Sequence, residues 1–160
     1  MNLTMRGVSM EIEDAVIVEM IRQRLIGSAY PDNLKLTAAP RIGTVWAGQS
    51  GTYAGMARGS ESDFPLIVGP EAPTVMDWNE ACAWVKSLGD VWRLPLPPEQ
   101  ALCYANVQEL FKKEWYWSGK QYEGDSDFAW AQSFGDGYQD AFRKSSKFRV
   151  RVVRSLIVID

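Results

Sequence analysis

The sequence predicts an antiparallel α+β domain preceded by a separate N-terminal helix. Two apolar helical stretches follow one another between residues 77 and 113, and the segments after them have the pattern of strands. The loops between those strands are too short for the crossovers that parallel pairing requires. The chain of 160 residues also contains seven Trp, six Tyr and six Phe, whose large rings can stabilise a loop-rich core.

The N-terminal helix is predicted for residues 10–26, which are acidic early and basic late, as a helix dipole favours. Gly27 ends it, and the turn formers in residues 28–40 indicate a linker. We therefore expect an amphipathic helix and linker in residues 1–40 and the main domain in residues 41–160. Such a helix buries its apolar stripe by folding back on the domain or, as we favour, by associating with copies of itself. The stripe consists of Ile17, Met20, Ile21 and Leu25.

The main domain is predicted to begin with a hairpin. Residues 44–58 are mostly apolar and small, and Gly48-Gln49-Ser50-Gly51 can turn the chain between two short strands. A third strand is expected from Phe64 to Val68, ending at Gly69-Pro70.

Two helices should follow the hairpin. Asp77 and Glu80 have the spacing of a capping box, and Gly89 supplies the stop for the first helix. Pro97-Pro98 suits the first turn of the second helix, where the amides have no intrahelical acceptor. The expected inner faces are Trp78, Ala81, Cys82, Val85 and Leu88 on the first helix, and Leu102 and Ala105 on the second.

The C-terminal half is predicted to be strands at residues 115–118, 128–134 and 148–156. Since side chains alternate along a strand, Trp130 and Phe134 should share a buried face of the second of these strands. On the last strand, alternation buries the apolar residues and points Arg149 and Arg151 outward.

A series of short motifs occurs in a characteristic order, although each motif is brief. They are Trp78-Asn79-Glu80-Ala81, Trp92-Arg93-Leu94-Pro95, Trp115-Tyr116-Trp117-Ser118, Phe128-Ala129-Trp130, Phe134-Gly135-Asp136-Gly137 and Arg149 to Arg154. Over residues 41–156 the sequence thereby resembles uncharacterised phage and bacterial domains of the C-type-lectin-like fold, related to the C-terminal domain of collagen-like adhesins and to phage tropism determinants. The resemblance implies two helices with twisted antiparallel sheets, and a binder rather than a catalyst.

The departures from that family are informative. The chain lacks the Glu-Pro-Asn, Gln-Pro-Asp and Trp-Asn-Asp motifs through which calcium-dependent lectins hold sugar. Cys82 and Cys103 are expected to be free thiols without an electropositive neighbour. The same broad fold also occurs in the formylglycine-generating oxidase, whose chemistry needs reactive cysteines, and that activity is therefore not expected. The acidic turn at Glu123, Asp125 and Asp127 lacks the full calcium-loop pattern, which favours a solvated polar turn over a metal site. We expect no cofactor and no metal.

The basic run near the C-terminus has three interpretations. These basic residues could form salt bridges on a structural face, recognise a partner or bind nucleic acid. We favour the structural face, with the acidic residues between Glu123 and Asp140 as the neutralising partners. A net charge of −3 and a pI near 5.1 argue against nucleic acid. Arg93 is expected to be a structural hydrogen-bond donor. The run consists of Arg143, Lys144, Lys147, Arg149, Arg151 and Arg154.

Tyr122 and Tyr138 lie in Gly- and Asp-rich turns, where an exposed ring can anchor a partner. The leading hypothesis is a non-enzymatic phage-type recognition protein that binds a glycan or a cell-surface protein through loops on a rigid framework. The alternative is a phage-encoded intracellular inhibitor or regulator that binds a host protein. The candidate binding residues are Tyr122, Asp125, Asp127, Asp136, Tyr138 and Arg143.

The sequence also bears on location. No apolar run approaches the roughly 18 residues of a membrane-spanning helix, and residues 1–10 lack the pattern of a secretion signal. We therefore expect no membrane insertion, synthesis in the host cytoplasm, and a final location in the virion or the host cytoplasm.

Overall fold

The computed structural model describes residues 2–5, 8–11 and 39–156, within two compact units, Met1–Ala38 and Ala39–Asp160. In the first unit, Asn2–Met5 (β1) and Val8–Glu11 (β2) form an antiparallel pair with Asn2 opposite Glu11. The predicted N-terminal helix is wrong at residues 10 and 11, because the preceding residues alternate apolar and polar with the period of a strand. The rest of that helix, including Ile17, Met20, Ile21 and Leu25, lies outside the described residues.

The second unit, which we call the body, contains two antiparallel sheets and two helices, which confirms the α+β prediction. Strands Val45–Trp46 (β3), Gly51–Ala57 (β4), Phe64–Glu71 (β5) and Arg151–Ser155 (β9) form one sheet in the order β3-β4-β5-β9. Strands Trp115–Gln121 (β6), Phe128–Ser133 (β7) and Gln139–Arg143 (β8) form the other in the order β6-β7-β8. The helices are Trp78–Ser87 (α1) and Pro97–Val107 (α2), and a 3-10 turn, Gln108–Leu110, follows α2.

The predicted hairpin is confirmed, since β3 and β4 pair across the turn at residues 47–50. The prediction that the next strand ends at Gly69 is wrong, because β5 continues to Glu71. A register shift between Val68 and Glu71 places Gly69 and Pro70 in an irregular stretch of the pairing with β9, where a proline without an N–H is tolerated.

Helix α1 begins as its sequence predicts. The Glu80 amide donates to Asp77 Oδ1 at 2.8 Å and the Asp77 amide donates to Glu80 Oε2 at 2.9 Å, which completes the capping box. Gly89, at φ +101°, follows the last turn in a conformation that favours glycine. Ala81 and Val85 are the buried residues of the helix.

The inner face of α2 differs from the prediction, because Ala105 is exposed and Leu102 is only partly buried. Two polar residues of the first turn are buried instead: Glu99 is 4% exposed and Gln100 is 1% exposed. Gln100 Nε2 donates to the carbonyls of Tyr116 and Trp117, at 3.1 and 3.2 Å. Buried polar groups with such partners are tolerated in a core, and they shift the inner face away from the apolar pattern. That face consists of Glu99, Gln100, Cys103 and Val107.

The buried face of β7 carries alanines rather than rings. Ala129 and Ala131 are fully buried, whereas Trp130 is only partly buried, so the prediction that Trp130 lies in the core is wrong. The reason is that rings from other elements fill the space on that face: Trp117, 0% exposed, pairs with Ala131, Phe142 pairs with Ala129, and Phe148 packs against both rings. Phe134, just beyond β7, is buried as predicted.

On the last strand, Val150 and Val152 are buried as predicted, and Val153 is buried as well. Residues 139–143, taken as part of a turn, form strand β8. In the described parts of the chain, no helix combines the length and the apolar character needed to cross a lipid bilayer.

Replacing Trp117 by alanine should lower the free energy of unfolding by about 3–5 kcal/mol, since it leaves a large cavity and removes the 2.9 Å hydrogen bond from its indole Nε1 to the Met76 carbonyl. Urea denaturation measures the change. Val91→Ala, at a side chain 60% exposed, is the control and should stay within about 0.5 kcal/mol of the wild type. A loss below about 1 kcal/mol for Trp117→Ala would show that the ring is not a core element.

Candidate recognition surface

The predicted binding residues fall into two groups at opposite ends of the three-stranded sheet. The loop between β6 and β7 carries Tyr122, Asp125 and Asp127, and Arg143 lies at the same end because it pairs with Phe128. The other group, Asp136 and Tyr138, occupies the turn between β7 and β8. A strand the length of β7 separates the groups by roughly 15 Å or more, so they do not form one patch.

The β6–β7 loop is held by its own backbone and carboxylates. The Asp127 amide donates to Asp125 Oδ1 at 2.9 Å, and the Phe128 amide donates to the Asp125 carbonyl at 3.1 Å. The amide of Lys144, just after β8, donates to the Asp127 carbonyl at 2.8 Å. Asp125 therefore shapes the loop, and the loop is tied to the neighbouring strand.

Aromatic rings surround this loop on the outward face of β7. The rings of Tyr122 and Trp130 meet edge to face, with centroids 5.7 Å apart, and Tyr122 is 36% exposed. The Arg143 guanidinium carbon lies 5.1 Å from the centroid of the Phe128 ring. We call this the aromatic end surface, which consists of Lys120, Tyr122, Glu123, Phe128, Trp130 and Arg143.

Glu123 connects the charged and aromatic parts of the aromatic end surface. Its Oε1 lies 2.5 Å from Lys120 Nζ, and its Oε2 accepts a hydrogen bond from the indole Nε1 of Trp130 at 3.3 Å. The hydrogen bond from Lys120, followed by bonds from its own backbone and from Trp130, lowers the pKa of Glu123 to about 2. The carboxylate is thus charged at neutral pH and orients the Trp130 ring.

The sequence pattern predicted Trp130 in the core and did not identify Lys120 or Glu123 as binding residues. Alternation along β7 did separate the rings from the alanines, but it could not say which set faced solvent. The missing information lay in other elements, because Trp117, Phe142 and Phe148 pack together on the side of Ala129 and Ala131.

The second group, Asp136 and Tyr138, lies in the turn between β7 and β8. Tyr138 is 66% exposed, and its amide donates to Asp136 Oδ1 at 3.1 Å. This bond is the first cause of a lowered pKa at Asp136. Gly137 has φ +82°, and a Cβ there would lie 2.7 Å from the Tyr104 ring. Tyr138 therefore projects from a tight turn with no ring contact to another aromatic residue.

The basic run mostly serves the structure, but with different acids from those expected. Lys147 Nζ lies 2.9 Å from Glu80 Oε2, and Arg149 Nε lies 2.6 Å from Glu114 Oε2. Neither Glu80 nor Glu114 lies between Glu123 and Asp140. The fold brings both to the basic segment, because Glu80 is on α1 and Glu114 directly precedes β6. Arg151 instead donates to the Leu110 carbonyl at 2.7 Å.

Arg93 is a structural donor, as predicted. Its two terminal nitrogens contact the carboxylate of Glu99, with Nη1 2.6 Å from Oε1. Glu99 Oε1 also accepts from the Leu96 amide at 2.7 Å, at the start of α2. The ion pair therefore joins the segment before α2 to the helix itself.

The two thiols have raised pKa values, and the described residues show no metal-like grouping. Cys82 and Cys103 are free, as predicted, and burial raises both pKa values, that of Cys103 to about 12. A thiol with a raised pKa is a poor nucleophile at neutral pH. Within residues 2–5, 8–11 and 39–156, no three His, Cys, Asp or Glu side chains group as metal ligands do.

Comparison with known proteins does not assign the chain. No family model matches the sequence. No curated protein matches it either.

We expect the Glu123 carboxylate to titrate with a midpoint near pH 2. The chemical shift of the Trp130 indole N–H, measured by NMR, should change with the same midpoint, because this N–H donates to Glu123 Oε2. Because its pKa falls below the ordinary 4.5, Glu123 stabilises the folded state above pH 4.5, and this contribution is lost as the pH falls towards about 2. Lys120→Met should move the midpoint towards 4.5. A wild-type midpoint near 4.5 would contradict the paired geometry.

Proposed function

We propose that this protein is a non-enzymatic recognition protein that binds a macromolecular target, a glycan or a cell-surface protein, through the aromatic end surface. The observation that carries the proposal is the edge-to-face contact between Tyr122, in the β6–β7 loop, and Trp130, on strand β7. Aromatic side chains of this kind dominate the binding energy of many interfaces.

Pre-organisation of the loop supports this proposal. Binding costs free energy when it immobilises side chains and loops, and groups that are already fixed avoid much of that cost. Glu123 orients the Trp130 ring, and the Asp125 turn holds the loop backbone. A partner that covers these rings would therefore gain apolar contact with little further ordering.

The charges of the surface favour specificity. Lys120 and Glu123 are paired, while the Arg143 guanidinium lies over the Phe128 ring and forms no ion pair with a described residue. One uncompensated cation beside exposed rings suits a partner that combines a flat apolar face with an acceptor or an acidic group. Both sugars and protein surfaces offer that combination.

The proposal extends to the fold family and origin. Two consecutive helices, two antiparallel sheets and short connections are consistent with a C-type-lectin-like domain, and the Trp92 to Pro95 motif forms a backbone bridge between Arg93 and Val153. We propose a phage-type lectin-like domain that presents variable loops on this framework. Residues 122–127, between β6 and β7, would then be the loop that varies with the target.

The test is binding to a glycan array and to a panel of bacterial cells, with the labelled full-length chain. Saturable binding should fall at least about tenfold in the Tyr122→Ala/Trp130→Ala variant, because truncating an aromatic anchor costs more than about 1.4 kcal/mol. Tyr138→Ala is the matched control, an exposed tyrosine at the other end of the same sheet, and should bind like the wild type.

Two outcomes would overturn the assignment. Equal binding by the double variant would exclude the aromatic end surface, and loss of binding in Tyr138→Ala alone would transfer the site to the β7–β8 turn. Circular dichroism of each variant separates lost binding from lost folding.

We also propose that the N-terminal stripe associates copies of the chain, so that weak single-site binding gains avidity. Replacing Ile21 and Leu25 with aspartate should then reduce the mass measured by light scattering, because charges on the stripe oppose burial. Arg22→Asp/Arg24→Asp, which leaves the four stripe residues in place, is the comparison and should keep the larger mass. An unchanged mass in the stripe variant would exclude this mode of association.

A further inference from the structure

A groove on the four-stranded sheet, outside the aromatic end surface, has the features of a small-ligand site. It is a shallow, open groove of about 500 Å³ where β4 begins and β5 ends, a volume within the usual range for small-molecule sites. Its lining combines an aromatic residue, a cation and two hydroxyl side chains. The lining residues that matter here are Ser50, Thr52, Gly69, Trp92 and Arg151.

Glycine keeps the aromatic wall of the groove in place. A Cβ at Gly69 would lie 2.3 Å from the six-membered ring of Trp92, so only glycine allows the indole to lie against β5. The Arg154 guanidinium carbon lies 5.6 Å from the centroid of the same ring. Trp92 is therefore fixed from two sides before any ligand arrives.

The Arg151 guanidinium has hydrogen-bond donors without an acceptor among the described residues. Its Nη1 donates to the Leu110 carbonyl at 2.7 Å, which is the hydrogen bond that its guanidinium makes within the body. Its Nε is buried and has no acceptor, and unpaired buried donors are rare in folded proteins. Nε and Nη2 point the same way from a guanidinium, and together they form the fork that receives a carboxylate with two parallel hydrogen bonds.

No carboxylate of a described residue pairs with this fork, although Nε is buried and the guanidinium carbon lies 5.6 Å from the centroid of the Phe111 ring. Glu71 is opposite Arg151 in the β5–β9 pair, but its carboxylate accepts from the Tyr116 hydroxyl, and no ion pair joins it to Arg151 within 4.0 Å. No acidic side chain lines the groove. Arg151 is the cation that lines the groove, whereas Arg154, the second cation beside Trp92, donates to Gln49 Oε1. With a net charge of −3 on the chain as well, the groove suits one negative charge better than the two of a phosphate monoester.

We propose that this groove binds an acidic sugar unit, a hydroxylated saturated ring that carries one carboxylate. The carboxylate engages the Nε and Nη2 donors of Arg151, the C–H face of the ring lies against Trp92, and the ring hydroxyls bond to Ser50 and Thr52. Because Nε is covered by neighbouring atoms, the Arg151 side chain shifts when the carboxylate binds. This site is separate from the proposed aromatic end surface, so either can fail without the other.

The test compares two matched probes, methyl β-D-glucuronide and methyl β-D-glucoside, which differ in the carboxylate alone. Both are titrated into the ¹⁵N-labelled full-length chain. The glucuronide should produce saturable NMR shifts at the amides of residues 50–52, at the Trp92 indole N–H and at the Arg151 Nε–H. The glucoside should bind at least about tenfold more weakly, because it lacks the charged pair of hydrogen bonds.

Variants locate the binding. Arg151→Gln should weaken glucuronide binding at least about tenfold, whereas Arg149→Gln, which removes an equal charge outside the groove, should leave it within about twofold. Arg151→Gln also loses a contact with Leu110 and could destabilise the body. Thr52→Val therefore provides a second test, because it keeps the shape of the side chain, removes one hydroxyl and should weaken binding about three- to tenfold.

Four results would overturn the proposal. They are equal binding of the glucoside, no shifts with about 50 mM glucuronide, shifts confined to residues outside the groove, and equal binding by sodium acetate, which would reduce the site to a simple anion site. An oligosaccharide ending in glucuronate then separates the sources of the ligand. Binding equal to or tighter than that of the methyl glucuronide indicates a glycan end, and exclusion of the oligosaccharide indicates a free sugar acid.

Discussion

The backbone hydrogen bonds of residues 148–150 hold the body together, and its other features depend on them. On one side, Phe148 exchanges two hydrogen bonds with Met76, at 2.9 and 3.0 Å. On the other, the Arg149 amide donates to the Trp115 carbonyl and the Trp117 amide donates to the Arg149 carbonyl, both at 3.0 Å. This short segment joins β6 to the segment before α1 and leads directly into β9, so it connects the two sheets.

The position of the aromatic end surface follows from this connection. With β6 held against residues 148–150, the Trp117 ring is enclosed among Val150, Val152 and the small residues of β7. The alanines of β7 must face that ring, and alternation then sends Phe128 and Trp130 to the opposite face. The ring cluster on the alanine side, which includes Trp117, Phe142 and Phe148, thus leaves Phe128 and Trp130 on the opposite face of β7.

The same framework supports the groove on the other sheet by different means. There Gly69 admits the Trp92 ring, and Arg151 enters from β9 with part of its guanidinium unpaired. Both proposed sites rest on side chains whose positions are set by neighbouring strands. The loops and strand ends provide the chemistry, and the sheets provide its geometry.

Local interactions account for the features that could be predicted from the sequence. The capping box at Asp77, the turn at residues 48–51 and the glycine after α1 each involve residues only a few positions apart, so their patterns predict structure directly. Exposure of Tyr122 and Tyr138 followed from turn composition in the same way. The acids that pair with Lys147 and Arg149 were not predictable, because Glu80 and Glu114 are distant in sequence and meet them only in the folded chain.

The sequence by itself determined the α+β class, the two helices and most of the strands, because periodicity and turn chemistry act over short distances. The tertiary structure alone decided which face of β7 is buried, that residues 139–143 form a strand, and that the six candidate residues divide between two ends of a sheet. The physical reason is that these features depend on the volume and hydrogen bonding of partners far along the chain. A period of two identifies two faces of a strand, and only the packing of Trp117, Phe142 and Phe148 against the alanines selects between them at Trp130.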